Sequence, residues 1–101
     1  MMSDTIKVTI DADLELIIPR FFELRRADIQ TIGESLIKRD FDTIRRLGHS
    51  MKGSGGGYGF DWITEMGRAI EEAALGKDVD KINQLKDELA AYLDNVEVCY
   101  E

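Results

Sequence analysis

The sequence predicts an all-α fold, an antiparallel up-down four-helix bundle with a short extra N-terminal helix. Three observations carry that expectation. Apolar residues recur three and four apart through successive segments. The joints between those segments are short, which makes neighbouring helices antiparallel. Charged residues make up 33% of the 101 residues, and Glu, Lys, Arg, Leu, Ile and Ala are frequent, a mixture that favours helices. The length suits one domain with one core.

Residues 1–10 read as an extended arm. In "TIKVTI" Ile6, Val8 and Ile10 alternate with polar residues, and no convincing partner strand is evident. The nearest candidate is "VEVCY", Val96 to Tyr100, so the two termini are expected to lie together at most as packed tails. Residues 11–18 form the short helix, capped by Asp11, with Asp13 and Glu15 suited to the positive end of its dipole. Pro19 has no amide donor and breaks the ladder. It opens the next helix, since a first-turn position suits it. Residues 19–95 then form the bundle, and 96–101 a tail.

Within the bundle, Phe22, Ile29, Ile32 and Leu36 are the buried stripe of the first long helix. Asp40 starts the next, with Phe41, Ile44, Leu47, Gly48 and Met51 on one face. "GGGYGF" ends it, and Gly59 is the tight-turn residue. Asp61 caps a helix with Ile63, Met66, Ile70 and Ala73 or Ala74 inward, broken at Gly76. Asp78 opens the last, with Val79, Ile82, Leu85, Leu89, Tyr92 or Leu93, and Val96 in register.

A formal net charge of −7 argues against non-specific nucleic-acid binding and against an anionic membrane surface. Cys99 is the single cysteine, so no internal disulfide forms. With one Cys and one His, a tetrahedral structural zinc site is excluded within one chain, and no metal site is expected. The N-terminus lacks the pattern of a signal peptide, and no apolar run is long enough to span a bilayer. A cytoplasmic, reducing setting is the expectation.

The chemistry concentrates in "RRLGHSMKGSGGGYGF", Arg45 to Phe60, which holds the only histidine and six of the nine glycines. At roughly 100° per residue, His49 falls about 150° from the middle of the apolar face, so it points to solvent. Residues three and four away share its face. These are Arg45 and Arg46 on one side and Lys52 and Gly53 on the other, with Gly56 one turn further. Glycine costs about 1 kcal/mol in a helix interior relative to alanine. Access by another surface would offset that. An exposed imidazole is a competent nucleophile toward phosphorus. Flanking cations suit an attached phosphoryl group and steer an acidic partner.

Other readings of this stretch fit less well. Lys52 precedes the glycines, so the phosphate-loop pattern is not met, and neither is the dinucleotide one. Ser50 and Ser54 are misaligned with His49 for a hydrolase, and no carboxylate is evident to orient the ring. Away from this stretch, Ile17, Phe21 and Leu24 are left over once Phe22 is buried. Ile17 and Phe21 are therefore candidate partner contacts at the bundle end, with packing against the N-terminal arm the equal alternative.

"LGHSMKGSGGGYGF" resembles the signature of histidine-containing phosphotransfer (HPt) domains of bacterial multistep phosphorelays. The pattern places a phospho-accepting histidine at His49, a lysine three residues on at Lys52 and a glycine at Gly53. Ser54, Gly59 and Phe60 follow in step. The resemblance implies a phosphocarrier without kinase activity or cofactor of its own. It would take a phosphoryl group from a receiver aspartate, with Mg²⁺ supplied by the receiver. Lys52 would stabilise the phosphoryl group and Gly53 would admit the receiver. Partners would be response-regulator receiver domains and a hybrid histidine kinase, and the carrier a free-standing monomer. The alternatives are a non-catalytic helical adaptor and a phosphohistidine substrate acted on in trans by a chemotaxis-type kinase.

Overall fold

The computed structural model describes residues 6–101. The first five residues of the expected arm therefore lie outside the described residues. In chain order it contains strand β1 (Ile6–Ile10), a 3-10 turn (Ala12–Leu14) and helices α1 (Ile18–Ile37) and α2 (Phe41–Gly55). A second 3-10 turn (Gly56–Tyr58), α3 (Asp61–Leu75), α4 (Val79–Asn95) and strand β2 (Val96–Tyr100) complete it. The main helix contacts link α1 to α2 and α4, and α3 to the same two, so four helices enclose one core. Ile32, Ile44, Met51, Ile63, Ile70, Ile82 and Leu89 lie at its centre, fully buried. Each such side chain contributes about 1.5–3 kcal/mol of transfer free energy.

The helix starts follow from local chemistry. Asp40 and Asp78 are N-caps, accepting from the backbone N–H groups of Thr43 and Lys81. The start of α3 differs from expectation. Phe60 occupies the cap position with no side-chain bond, and Asp61 is the first helical residue, where its charge still suits the dipole. Pro19 sits in the first turn of α1. The α1–α2 and α3–α4 connections share one geometry. Arg39 and Lys77 adopt positive φ (57° and 53°), and the next amides, of Asp40 and Asp78, donate back to Ser35 and Ala73.

Both ends of the chain depart from the sequence reading. Residues 11–18 hold a 3-10 turn at Ala12–Leu14 in place of a helix, with Asp11 accepting from Asp13. The arm and the tail are paired strands. β1 and β2 run parallel with Ile6 opposite Val96, Val8 opposite Val98 and Ile10 opposite Tyr100. In this register the apolar residues of both strands share one face. Ile10 is buried, and Val8, Val96, Val98 and Tyr100 pack against the core. Two short strands alone are marginal in water; here they are held by that apolar face and by Glu101, whose N–H donates to Ile10 while its carbonyl accepts from Ala12.

The buried line of α1 passes through Ile32 and Leu36 as expected, with Ile29 half-buried, but at its start Phe21 takes the place of Phe22. Phe21 is 4% exposed, whereas Phe22 is only half-buried. The line runs Ile18, Phe21, Arg25, Ile32, Ser35 and Leu36, and the Phe21 ring packs on Tyr58 (4.6 Å) and Phe60 (5.7 Å). Phe21 is therefore a core residue and not a surface contact. Ile17 and Leu24 do remain exposed, as does Leu16. No helix among the described residues is long and apolar enough to cross a membrane.

Candidate functional site

The site begins with how closely α2 approaches α3. Gly48 and Gly67 face each other across the crossing. A Cβ on Gly67 would lie 2.5 Å from the Lys52 nitrogen and 2.7 Å from the Gly48 carbonyl oxygen. One on Gly48 would lie 2.7 Å from the Glu71 nitrogen. Only glycine permits this contact, because the opposing atoms are backbone and cannot swing away. Further along, Gly55 faces Thr64. Residue numbers thus rise on α2 as they fall on α3, and this register sets Glu71 beside the segment from Gly48 to Lys52.

The result is a bridging carboxylate. Glu71 Oε2 lies 2.9 Å from His49 Nδ1, and Oε1 accepts from Lys52 Nζ at 2.8 Å. Glu71 is largely covered, with 16% of its side chain exposed, while the imidazole is 66% exposed. The hydrogen bonds from Lys52 and then from His49 hold the Glu71 carboxyl below its usual range. An ionised carboxylate can only accept, so Nδ1 is the donor, and in the neutral ring Nε2 carries the lone pair. His49 points outward as its helical phase required. The carboxylate that orients it was absent from the sequence reading, because it comes from another helix 22 residues on. The available signal was Gly67, four residues before Glu71 and so on the same face of α3.

The cations divide differently from expectation. Lys52 belongs to the His49 cluster through Glu71. Arg45 and Arg46 instead share Asp42, at 2.8 and 2.6 Å. Exposed pairs of this kind contribute only about 0–1 kcal/mol, so an incoming anion can take either guanidinium.

Beyond Lys52 the surface is bare. A Cβ on Gly53 or Gly57 would meet nothing within 4 Å, and Gly53, Gly56 and Gly57 are all exposed. The helix continues past Ser54 to Gly55, and the Gly56 N–H donates to Thr64 Oγ1 at 2.7 Å. Gly59 then reverses the chain at φ 89°, with Ile10 of β1 packed against it. Among the described residues, no group of three or more His, Cys, Asp or Glu side chains is placed to hold a metal ion.

An outward-facing imidazole, an ammonium beside it and a side-chain-free strip lie together on one exposed face. The Hpt domain family model matches residues 17–96, most of the chain. This chain is an Hpt domain. Neither the curated proteins nor the solved structures gave a match. Hpt domains carry phosphoryl groups on histidine in two-component signalling, as phosphocarriers, and interact with receiver domains and kinases. The match spans α1 to the first residue of β2, so Pro19, His49 and Glu71 all fall within it.

The Glu71 geometry has a pH signature. A folded-state value below the unfolded one means that the ionised carboxylate favours the fold. That stabilisation is complete above the ordinary carboxylate range and drains away as pH falls through the lower folded value. Glu71→Gln removes it. Urea unfolding of the two proteins across pH 2 to 7 (about the carboxylate range and above it) is expected to show their stability difference shrinking toward the acid end. A constant difference would contradict the assignment.

Proposed function

We propose that this Hpt domain is a relay intermediate of a multistep phosphorelay, accepting a phosphoryl group at His49 from one receiver aspartate and delivering it to another. The supporting observation is the exposed His49 ring with Nδ1 held by a carboxylate and Nε2 free. In the step proposed, the Nε2 lone pair attacks phosphorus of the aspartyl phosphate. The N–P bond forms as the P–O bond breaks, and the receiver carboxylate leaves with the electron pair. Nδ1 keeps its proton, so the phosphorylated ring carries positive charge beside the Glu71 carboxylate. Lys52 reaches toward the transferred oxygens. Delivery to the next receiver reverses these changes. The receiver supplies Mg²⁺, and this chain supplies no catalysis of its own. The four helices act as an antiparallel up-down scaffold. Arg45, Arg46, Gly56 and Ile17 border the docking face, and the protein works as a monomer in the cytoplasm, with a hybrid kinase upstream.

An adaptor that binds without accepting phosphate has no use for a carboxylate-held imidazole, which weighs against that alternative. The test is two-stage. A phosphorylated receiver is mixed with this chain, and acid-labile, base-stable label is sought on it. A second, unphosphorylated receiver is then added. Label is expected to appear and then move on. Label obtained only from a kinase and ATP would indicate an in-trans substrate, and no label at all would contradict phosphate carriage.

Gly53 offers a cleaner separation of docking from folding. Because a Cβ there meets nothing within 4 Å, Gly53→Leu is expected to raise stability by up to about 1 kcal/mol through helix propensity. The same change is expected to slow receiver-dependent transfer roughly tenfold or more, by covering the approach to His49. Stopped-flow transfer rates and thermal unfolding measure the two effects separately. Undiminished transfer would remove Gly53 from the docking face.

A further inference from the structure

We infer that Arg25 is a positioning residue for phosphotransfer, holding the glycine-rich last turn of α2 in helical form through Ser54. The inference rests on the phosphotransfer reading for its functional half and on geometry alone for the rest.

Four of the five residues from Gly53 to Gly57 are glycine, the weakest ordinary helix former. This turn nonetheless stays helical to Gly55 and passes directly into a 3-10 turn. Two side chains from other elements reach into it. Thr64 of α3 accepts from the Gly56 amide, and Arg25 of α1 donates from Nη1 to Ser54 Oγ at 3.1 Å. Ser54 is adjacent to Gly53 and two residues from Lys52, so loosening this turn disturbs both.

Arg25 is an unusual residue to find there. It is 8% exposed, in a line otherwise apolar apart from Ser35. Its guanidinium lies over the Phe21 ring at 5.1 Å. Its Nε is 2.8 Å from Asp28 Oδ2, yet neither atom makes a hydrogen bond, because the contact is off the donor axis. Burial pushes the Asp28 carboxyl up, against the lowering effect of Arg25. A covered pair of this quality seldom repays its own desolvation, and apolar side chains of similar size would serve packing as well or better. What apolar residues cannot supply is the donor to Ser54. Phe21 and Asp28 hold the guanidinium in place, and the guanidinium holds the turn.

The test uses the whole chain with three variants. Ser54→Ala removes the acceptor and leaves the Arg25–Asp28 pair intact. Arg25→Met with Asp28→Leu removes the donor without stranding a charge. Ser54→Thr keeps the hydroxyl. In the first two, backbone amide exchange at residues 53–57 is expected to quicken about tenfold or more, with exchange in α4 unchanged. Transfer from a phosphorylated receiver is expected to slow roughly fivefold, while labelling of His49 by phosphoramidate, which needs no docking, changes by less than about twofold. Ser54→Thr should restore both. Unchanged exchange in Ser54→Ala, or equal losses with receiver and phosphoramidate, would overturn the inference. Absence of label on the unmodified protein from either donor would instead strike the phosphotransfer reading, and exchange would still decide whether Arg25 clasps the turn.

Discussion

Replacing His49 with Gln is expected to abolish phosphoryl labelling of the chain and to leave its fold intact. The loss is complete because His49 is the only histidine, so no second imidazole can substitute. The fold survives because the ring is mostly exposed and makes its polar contact with one carboxylate. A glutamine amide can donate to the same Glu71 oxygen, and glutamine forms helix at least as well as histidine. The change in stability is therefore expected to stay within about 0.5 kcal/mol, the ordinary range for a surface substitution. Autoradiography after acid and base treatment reads the label, and far-UV circular dichroism with urea unfolding reads the fold. Label persisting on His49→Gln would move the phosphoryl group to another residue altogether.

Gly67→Ala is expected to have the largest structural effect. The new methyl would fall 2.5 Å from the Lys52 nitrogen and 2.7 Å from the Gly48 oxygen, both backbone atoms. The helices must separate to admit it. Overpacking of this kind costs about 1–3 kcal/mol, more than the roughly 1 kcal/mol that alanine returns in helix propensity. Glu71 sits one turn beyond the crossing, so the separation also draws its carboxylate away from His49 and Lys52. Gly33→Ala is the matched control. Its Cβ meets nothing within 4 Å, and it is expected to stabilise the protein by up to about 1 kcal/mol. Urea unfolding of both variants tests the pair of signs. A Gly67→Ala protein as stable as Gly33→Ala would mean that the α2–α3 crossing is looser than the contacts indicate.

The two glycines also explain what could be read in advance and what could not. Spacing along one helix reports which side chains share a face. That sufficed for Ile44, Met51, Ile63, Ile82 and Leu89, and for placing His49 on the outer side of α2. Asp40 and Asp78 were legible as helix starts because start signals are local, although Asp61, read as a cap, is the first helical residue instead. Contacts between elements depend on register, which no single helix encodes. Glu71 was missed on that account, and so were Arg25 with its reach to Ser54 and the pairing of β1 with β2. Phe21 and Phe22 illustrate a finer limit. Adjacent aromatic residues differ by roughly 100° in phase; both rings lie against Phe60, and the one that also packs on Tyr58, Phe21, is the one turned inward. The glycine run resolved into distinct roles that composition could not separate: Gly55 in close approach to Thr64, Gly56 bonded to its hydroxyl, Gly57 bare, Gly59 at the turn.

The proposed function turns on a division of labour within one ring, Nδ1 tied to Glu71 and Nε2 left for phosphorus. Long-range ¹H–¹⁵N NMR of the chain before and after phosphorylation reads both nitrogens directly. The free protein is expected to show the Nδ1–H form of neutral His49, and the phosphorylated protein a phosphoryl group on Nε2 with the Nδ1 proton retained. A phosphoryl group on Nδ1, where the structure places the Glu71 carboxylate, would contradict it.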